Sequence, residues 1–347
     1  MTLIYFILVL GVTVLVHEFG HFLFAKRAGI YVYEFSIGMG PKLLSKRRKN
    51  DETEYCLRLL PIGGFVQMAG EEIEEDEKIP KNKRMQSKTW MQRFLTIVAG
   101  VLFNFIFAIL LFFIIGLFYG VPQNKSIIAS VEPNYPIAET NVRAGDQILK
   151  INGKNAKSQD MLLLQMQVET GKELTIQVKH EDGTIENVKV KPKEVKQDGV
   201  TSYVYGFALD NQVEHGFFAA LKYGFVKTYN LLLQMIFIIF YLCTGELELS
   251  SLSGPVGIYT IVGETAKAGL INLVYLVAYL CVNVGFINLL PIPAFDGGRI
   301  LFLIIEKIKG KPVDAKVENT IHSIGFLLLM ALMILITYND IVRIFFH

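Results

Sequence analysis

Long uncharged runs separated by charged loops dominate this chain. Residues 3–25 are apolar apart from His17, Glu18 and His21. Residues 94–120, 270–295 and 323–339 form three further apolar runs, and a hydrocarbon core takes about 20 helical residues to cross. The last run is short and is expected to extend at its ends. The pattern predicts a polytopic α-helical membrane protein with about four transmembrane helices. A fifth stretch, 228–245, is uncharged for 18 residues. Asn230, Gln234 and the upstream Lys222 and Lys227 favour an interfacial helix there over another crossing.

Two regions follow a strand period instead. In residues 122–196, Leu174, Ile176 and Val178 alternate, Asp182-Gly183 supplies a turn, and Val188 and Val190 alternate again, which predicts a hairpin. Residues 127–131 and 147–151 have strand character, and 160–168 reads as a short helix starting near Ser158 or Gln159. In the loop 26–93, Tyr55, Leu57 and Leu59 alternate, Gly63-Gly64 is read as a turn, and residues 65–68 run back, giving a membrane-associated β-hairpin. The acidic run 71–77 is expected to be a solvated loop.

Composition agrees with a membrane protein: 347 residues, 52% hydrophobic, mean hydropathy +0.40. A net charge of +2 suggests no nucleic-acid partner. Cys56, Cys243 and Cys281 are isolated, imply neither a disulfide framework nor a sulfur-rich zinc site, and are each expected to be buried. No basic stretch precedes the first apolar run, which reads as a retained span rather than a removable signal. Lys26, Arg27, Lys42 and the cluster Lys46-Arg47-Arg48-Lys49 place the loop 26–93 on the cytoplasmic side. Residues 121–267 then lie outside.

His17-Glu18-Phe19-Gly20-His21 is an HExxH sequence inside the first span. On a helix, positions i and i+4 share a face, so both imidazoles can reach one metal ion. Glu18 beside them can accept a proton from water at that metal. Ionisable groups at membrane depth are costly and mark function. Catalytic zinc takes three protein ligands, so a third is required. His180, His215, His322 and His347 are scattered. Asp296 is the better candidate, because it follows 28 uncharged residues and lies on the same membrane side as HExxH. Pro291, Pro293 and Gly297-Gly298 break the backbone around it, which at that depth requires burial in protein or a wet cavity. Otherwise it would be an ordinary helix cap facing water.

Together, HExxH in the first span and Asn288-Leu289-Leu290-Pro291-Ile292-Pro293-Ala294-Phe295-Asp296-Gly297 in the third resemble the site-2 protease family of intramembrane zinc metalloproteases. The likeness extends to residues 35–41, 59–66 and 253–257 and covers almost the whole chain. It is strongest to the bacterial branch with a PDZ insert, and the run 142–153 is similar to the core signature of PDZ domains. The resemblance implies Zn2+ held by His17, His21 and Asp296, with Glu18 as general base. It implies a multi-pass protein of the bacterial cell membrane, with its active site near the cytoplasmic side and its PDZ-like domain outside. Single-span membrane proteins, anti-sigma factors among them, or signal-peptide remnants would be cleaved within the lipid bilayer.

The expected organisation is 1–120 as the first half of a protease core, 122–196 as a PDZ-like α+β domain, 215–267 as an interfacial helix and linker, and 268–347 as the second half. Such a domain would take a peptide ligand as an added strand, or serve as a plain β-domain. A helical substrate must unwind before cleavage, so its freed backbone needs a partner. The segment 55–68, with Gly63, Gly64 and Phe65 at its centre, offers a strand edge for substrate binding, or else is a purely structural hairpin. Asn288 would bond substrate or oxyanion, or make an interhelical contact. A membrane scaffold with a vestigial metal site is the alternative function, but a scaffold needs no Glu18. A metal transporter would line a path with polar ligands, whereas here they gather at one depth.

Overall fold

In a computed structural model, residues 1–71, 78–197 and 200–346 are described. Most of the acidic run therefore lies outside the described residues, as does His347. The chain forms two compact units, Met1–Phe112 with Leu252–Ile344, and Phe113–Ser251 with the last three residues.

The first unit holds α1 (Thr2–Arg27), strands β1 (Val32–Arg47) and β2 (Glu54–Met68), and most of α2 (Trp90–Tyr119). Glycine brings the first two helices together. A Cβ on Gly20 would lie 2.4 Å from the Ala99 carbonyl oxygen, so only a hydrogen there permits this crossing, as small residues do between membrane helices. Ala25, Val32, Phe35, Val66 and Ile97 build a shared core between these helices and the strands.

The strands depart from the expected hairpin. Tyr55–Leu57 does not pair back onto Phe65–Gln67; the two flank Phe35–Ile37 on its opposite sides, and Leu44–Arg47 adds a further pairing to Glu54–Leu57. Gly63-Gly64 is not a hairpin turn. Gly63 has φ +84° and lets β2 change direction, while a Cβ on Gly64 would sit 2.6 Å from the Ser36 carbonyl oxygen. Buried Glu34 ties the sheet by accepting from Arg58 at 2.6 Å and pairing Lys42 at 2.8 Å.

The other half of this unit contains α5 (Pro255–Lys267), α6 (Leu270–Leu289), α7 (Asp296–Lys309) and α8 (Ala315–Phe346). Part of the expected linker is thus helical. Asp340 of α8 is buried and accepts from the Gly257 N–H at 2.7 Å, which satisfies an orphan donor at the start of α5. The third apolar run ends earlier than expected. Helix α6 stops at Leu289, residues 290–295 are non-helical, and Asp296 opens α7 instead of closing a span. Pro291 and Pro293 lack N–H donors and cannot continue the ladder.

In the second unit, β5 (Gln147–Ile151) and β6 (Lys154–Asn155) join β7 (Leu174–Lys179) and β8 (Ile185–Val190) in the order β6-β5-β7-β8. The expected β7–β8 hairpin is present, and α3 (Gln159–Val168) starts at Ser158, whose hydroxyl accepts from the Met161 N–H. Asn152 and Gly153 both have positive φ, giving the turn that the Asn-Gly pair of the PDZ-like signature demands. The domain extends past residue 196. Strand β11 (Phe207–Leu209) pairs with β4 (Ile128–Val131), and Tyr205 lies in the same core as Ile128, Ile148 and Ile176. Two short pairs complete the unit, β3 (Val121–Pro122) with β12 (Val213–Glu214) and β9 (Lys193–Gln197) with β10 (Val200–Val204).

Helix α4 (Phe217–Thr244) begins well before the stretch expected from hydropathy, and α3 packs along it. Lys227 pairs with Asp160 at 2.5 Å, and Gln165 donates to the Tyr241 hydroxyl at 2.9 Å. Among the described residues, five helices, α1, α2, α4, α6 and α8, are long and apolar enough to cross a membrane. The cysteines are free; Cys56 and Cys281 are buried as expected, whereas Cys243 is exposed.

Candidate metal centre

Helix α1 places His17 and His21 one turn apart on a buried face, and the break after α6 delivers Asp296 to them. His17 Nε2 lies 3.1 Å from Asp296 Oδ2, His21 Nε2 lies 3.2 Å from the same oxygen, and the two Nε2 atoms are 3.2 Å apart. Tetrahedral zinc with bonds of 2.0–2.1 Å holds its ligand atoms about 3.3 Å from each other, so this triangle has the size such an ion needs. Asp296 is not a helix cap: no side-chain bond caps α7, and its Oδ2 is buried without a hydrogen-bond donor in good geometry.

Neighbouring groups fix which ring nitrogens face the centre. His21 Nδ1 lies 2.8 Å from the Thr96 carbonyl oxygen, which can only accept. Nδ1 therefore carries the proton and Nε2 presents its lone pair inward. For His17, the Asn104 amide nitrogen lies 3.4 Å from Nδ1 while Asn104 Oδ1 is buried without a partner. The two ends of an amide are isosteric, and their assignment follows the hydrogen bonds. With Oδ1 turned to the ring, it accepts from Nδ1–H and His17 Nε2 is also free for a metal. Such outer partners orient metal-binding imidazoles.

Gly100 of α2 completes the cradle. A Cβ there would lie 2.3 Å from His21 Nε2 and 2.8 Å from His17 Cε1. Gly20, Ala99, Gly100, Thr96 and Asn104 were all missed by pattern reading. Asn104 was the detectable signal, an amide in mid-span where polar groups are expensive.

Glu18 is half-buried on the same helix. The Gly63-Gly64 stretch of β2 passes beside it, since a Cβ on Gly64 would lie 3.8 Å from Glu18 Cγ. Phe65 is half-buried and pairs with Ser36. Asn288 stands in the last turn of α6 and, among the described residues, makes no side-chain hydrogen bond. Among the described residues, no other histidine joins this donor cluster. His180 pairs with Asp146 at 2.9 Å; burial lowers its pKa, but the Asp146 and Glu186 carboxylates outweigh that and hold it above the ordinary value. His215 lies by Gly120, and His322 accepts a backbone bond in α8. A second acidic cluster, Glu34, Glu54 and Cys56, already has Lys42 and Arg58 as its cations.

This combination of apolar spans and buried two-histidine, one-carboxylate donor set defines a membrane-embedded metallopeptidase. A profile of peptidase family M50 matches residues 5–332, and the chain belongs to that family. It is 34% identical to the regulator of sigma-W protease RasP of Bacillus subtilis, with 99% of each chain covered. It is also 34% identical to the zinc metalloprotease RasP of Geobacillus kaustophilus, with 99% of this chain and 98% of that one covered. A solved PDZ domain of an SdrC-like protein from Listeria monocytogenes is 24% identical over 26% of this chain and 90% of that one, with a TM-score of 0.22. A likeness that weak does not bear on the fold. The protein is a site-2-type zinc metalloprotease, a multi-pass protein of bacterial membranes.

Replacing Gly100 by alanine should drive a methyl group into His21 Nε2 and disturb the triangle of donor atoms. Zinc affinity, measured by chelator competition on purified protein, is expected to fall at least about tenfold. Full zinc retention in Gly100→Ala would show that the two helices can move apart at this crossing.

Proposed function

We propose that His17, His21 and Asp296 hold the catalytic zinc and that Glu18 is the general base for peptide-bond hydrolysis within the membrane. The 3.1–3.2 Å triangle of donor atoms carries this reading. Zinc bound there supplies Lewis acidity, lowering the pKa of water to about 7 and polarising a carbonyl. Glu18 takes the proton of the attacking water and returns it to the leaving amine. The strand around Gly63, Gly64 and Phe65 holds the unwound substrate beside Glu18 by adding it as a further strand. Its nearness to Glu18 supports this role. Asn288, whose amide has no hydrogen-bond partner among the described residues, can donate to a substrate carbonyl.

The substrates are single-span membrane proteins, anti-sigma factors among them, or signal-peptide remnants, cleaved in regulated intramembrane proteolysis. Helices α1, α2, α6 and α8 span the bilayer, and α4 lies in the outer interface. The α3 contact supports the latter. From Lys227 to Tyr241, about 21 Å of helix at 1.5 Å per residue, one face of α4 is occupied by a domain with a polar surface and a buried ion pair. The centre then faces the cytoplasmic side and the PDZ-like domain lies outside, where it binds peptide or filters substrates.

The chemistry has two separable tests. Glu18→Gln leaves every ligand in place, so zinc content should match wild type while turnover falls by at least about a hundredfold. Substantial cleavage by a zinc-loaded Glu18→Gln enzyme would sink the base assignment. Asp296→Asn keeps size but removes charge, so zinc should bind more weakly and activity should collapse, whereas Asp314→Asn in the polar loop should change neither.

Topology is checked separately by single-cysteine labelling in a cysteine-free background. A cysteine at Ser45 should react only from the cytoplasmic side, given the basic cluster around it. Labelling from outside would invert the assigned sidedness.

A further inference from the structure

Asp296 reaches the two histidines because the chain leaves α6 at Leu289 and turns before α7. The turn has an unusual member. Ala294 has φ +80°, one of two non-glycine residues with positive φ among those described. Side chains with a Cβ rarely adopt that conformation and persist in it only when the surroundings hold them there.

Helix α8 provides the hold. The Ala294 N–H donates to His322 Nδ1 at 2.9 Å. The His322 ring rests against Phe302, with centroids 5.6 Å apart. One turn further, Gly325 lets the helix press on the loop, since a Cβ there would lie 2.4 Å from Pro293 Cβ. With Nδ1 accepting, a neutral imidazole carries its proton on Nε2. That nitrogen is buried and has no hydrogen-bond partner among the described residues. Burying an unpartnered donor is unfavourable, and among the described residues the imidazole's one hydrogen bond is to the Ala294 N–H.

We propose that His322 is a positioning residue for the metal loop: its Nδ1 secures Ala294 in the left-handed conformation and so aims the Asp296 carboxylate at His17 and His21. The proposal rests on the reading of Asp296 as the third zinc ligand. It requires a hydrogen-bond acceptor at position 322, not merely a side chain of that size.

The test compares His322→Leu, which fills the space without an acceptor, with His322→Asn, whose Oδ1 can stand where Nδ1 stood. Zinc retention against graded chelator is measured together with kcat and KM on a membrane substrate. His322→Leu should weaken zinc retention roughly ten- to a hundredfold and lower kcat more than it changes KM. His322→Asn should recover most of both. Ala294→Gly combined with His322→Leu should also regain zinc, because glycine adopts positive φ freely. Wild-type retention in His322→Leu, or equal losses in the Leu and Asn variants, would overturn the proposal. If His322→Leu does not accumulate, the double variant decides: restored accumulation and zinc support the role, and continued failure rejects it. Asp296→Asn, assayed alongside, separates the two ideas. Unchanged zinc in Asp296→Asn would defeat the ligand assignment itself, whereas loss there with none in His322→Leu would defeat only the role of His322.

Discussion

Two imidazoles and a carboxylate buried together inside an apolar bundle are tolerable only if they satisfy one another or share a cation. The first unit is arranged around that requirement. His17 and His21 must share a face of α1, α2 must approach closely enough to orient their outer nitrogens, and the chain after α6 must break to bring a carboxylate from 275 positions further along. Gly20 and Gly100 meet the second demand by omission, because any side chain there would occupy the helix contact or the cradle.

The same centre is reached from the other side by irregular backbone. Residues 290–295 carry two prolines and a left-handed alanine. Non-helical backbone at this depth needs protein partners for its polar groups, and α8 supplies one through His322. Gly297 lies so close to the loop that a Cβ would fall 2.1 Å from the Leu290 carbonyl oxygen. The loop is thus packed between the start of α7 and the face of α8, which fixes the direction in which Asp296 points.

In the second unit, α4 resolves two demands at once. One of its faces carries Lys227 and Tyr241 against α3, while Phe218, Phe225, Tyr229, Ile236 and Phe240 remain exposed on the rest of its surface. Hydropathy averages over both faces and records only that the helix is long and apolar enough to cross a membrane. The ion pair with Asp160 is invisible in such an average, since the partners lie 67 residues apart.

Local chemistry was legible in the chain itself. HExxH at membrane depth, the Pro- and Gly-broken backbone around Asp296, the hairpin at Asp182-Gly183 and the helix start at Ser158 each depend on neighbours within a few residues, so spacing and residue type were enough. What depends on contacts far apart in sequence was not. Alternation suggested strands in 55–68 but could not show that Tyr55–Leu57 and Phe65–Gln67 sit on opposite sides of Phe35–Ile37, because pairing partners are chosen by long-range packing. Tyr205 and β11 lie beyond the apparent end of the domain because a three-residue strand carries too little pattern to be read. The ring orientations of His17 and His21, the need for glycine at positions 20 and 100, and the role open to His322 arise only when separate helices come within bonding distance. One dimension records which groups are costly to bury, and only the folded chain decides which partners make that burial bearable.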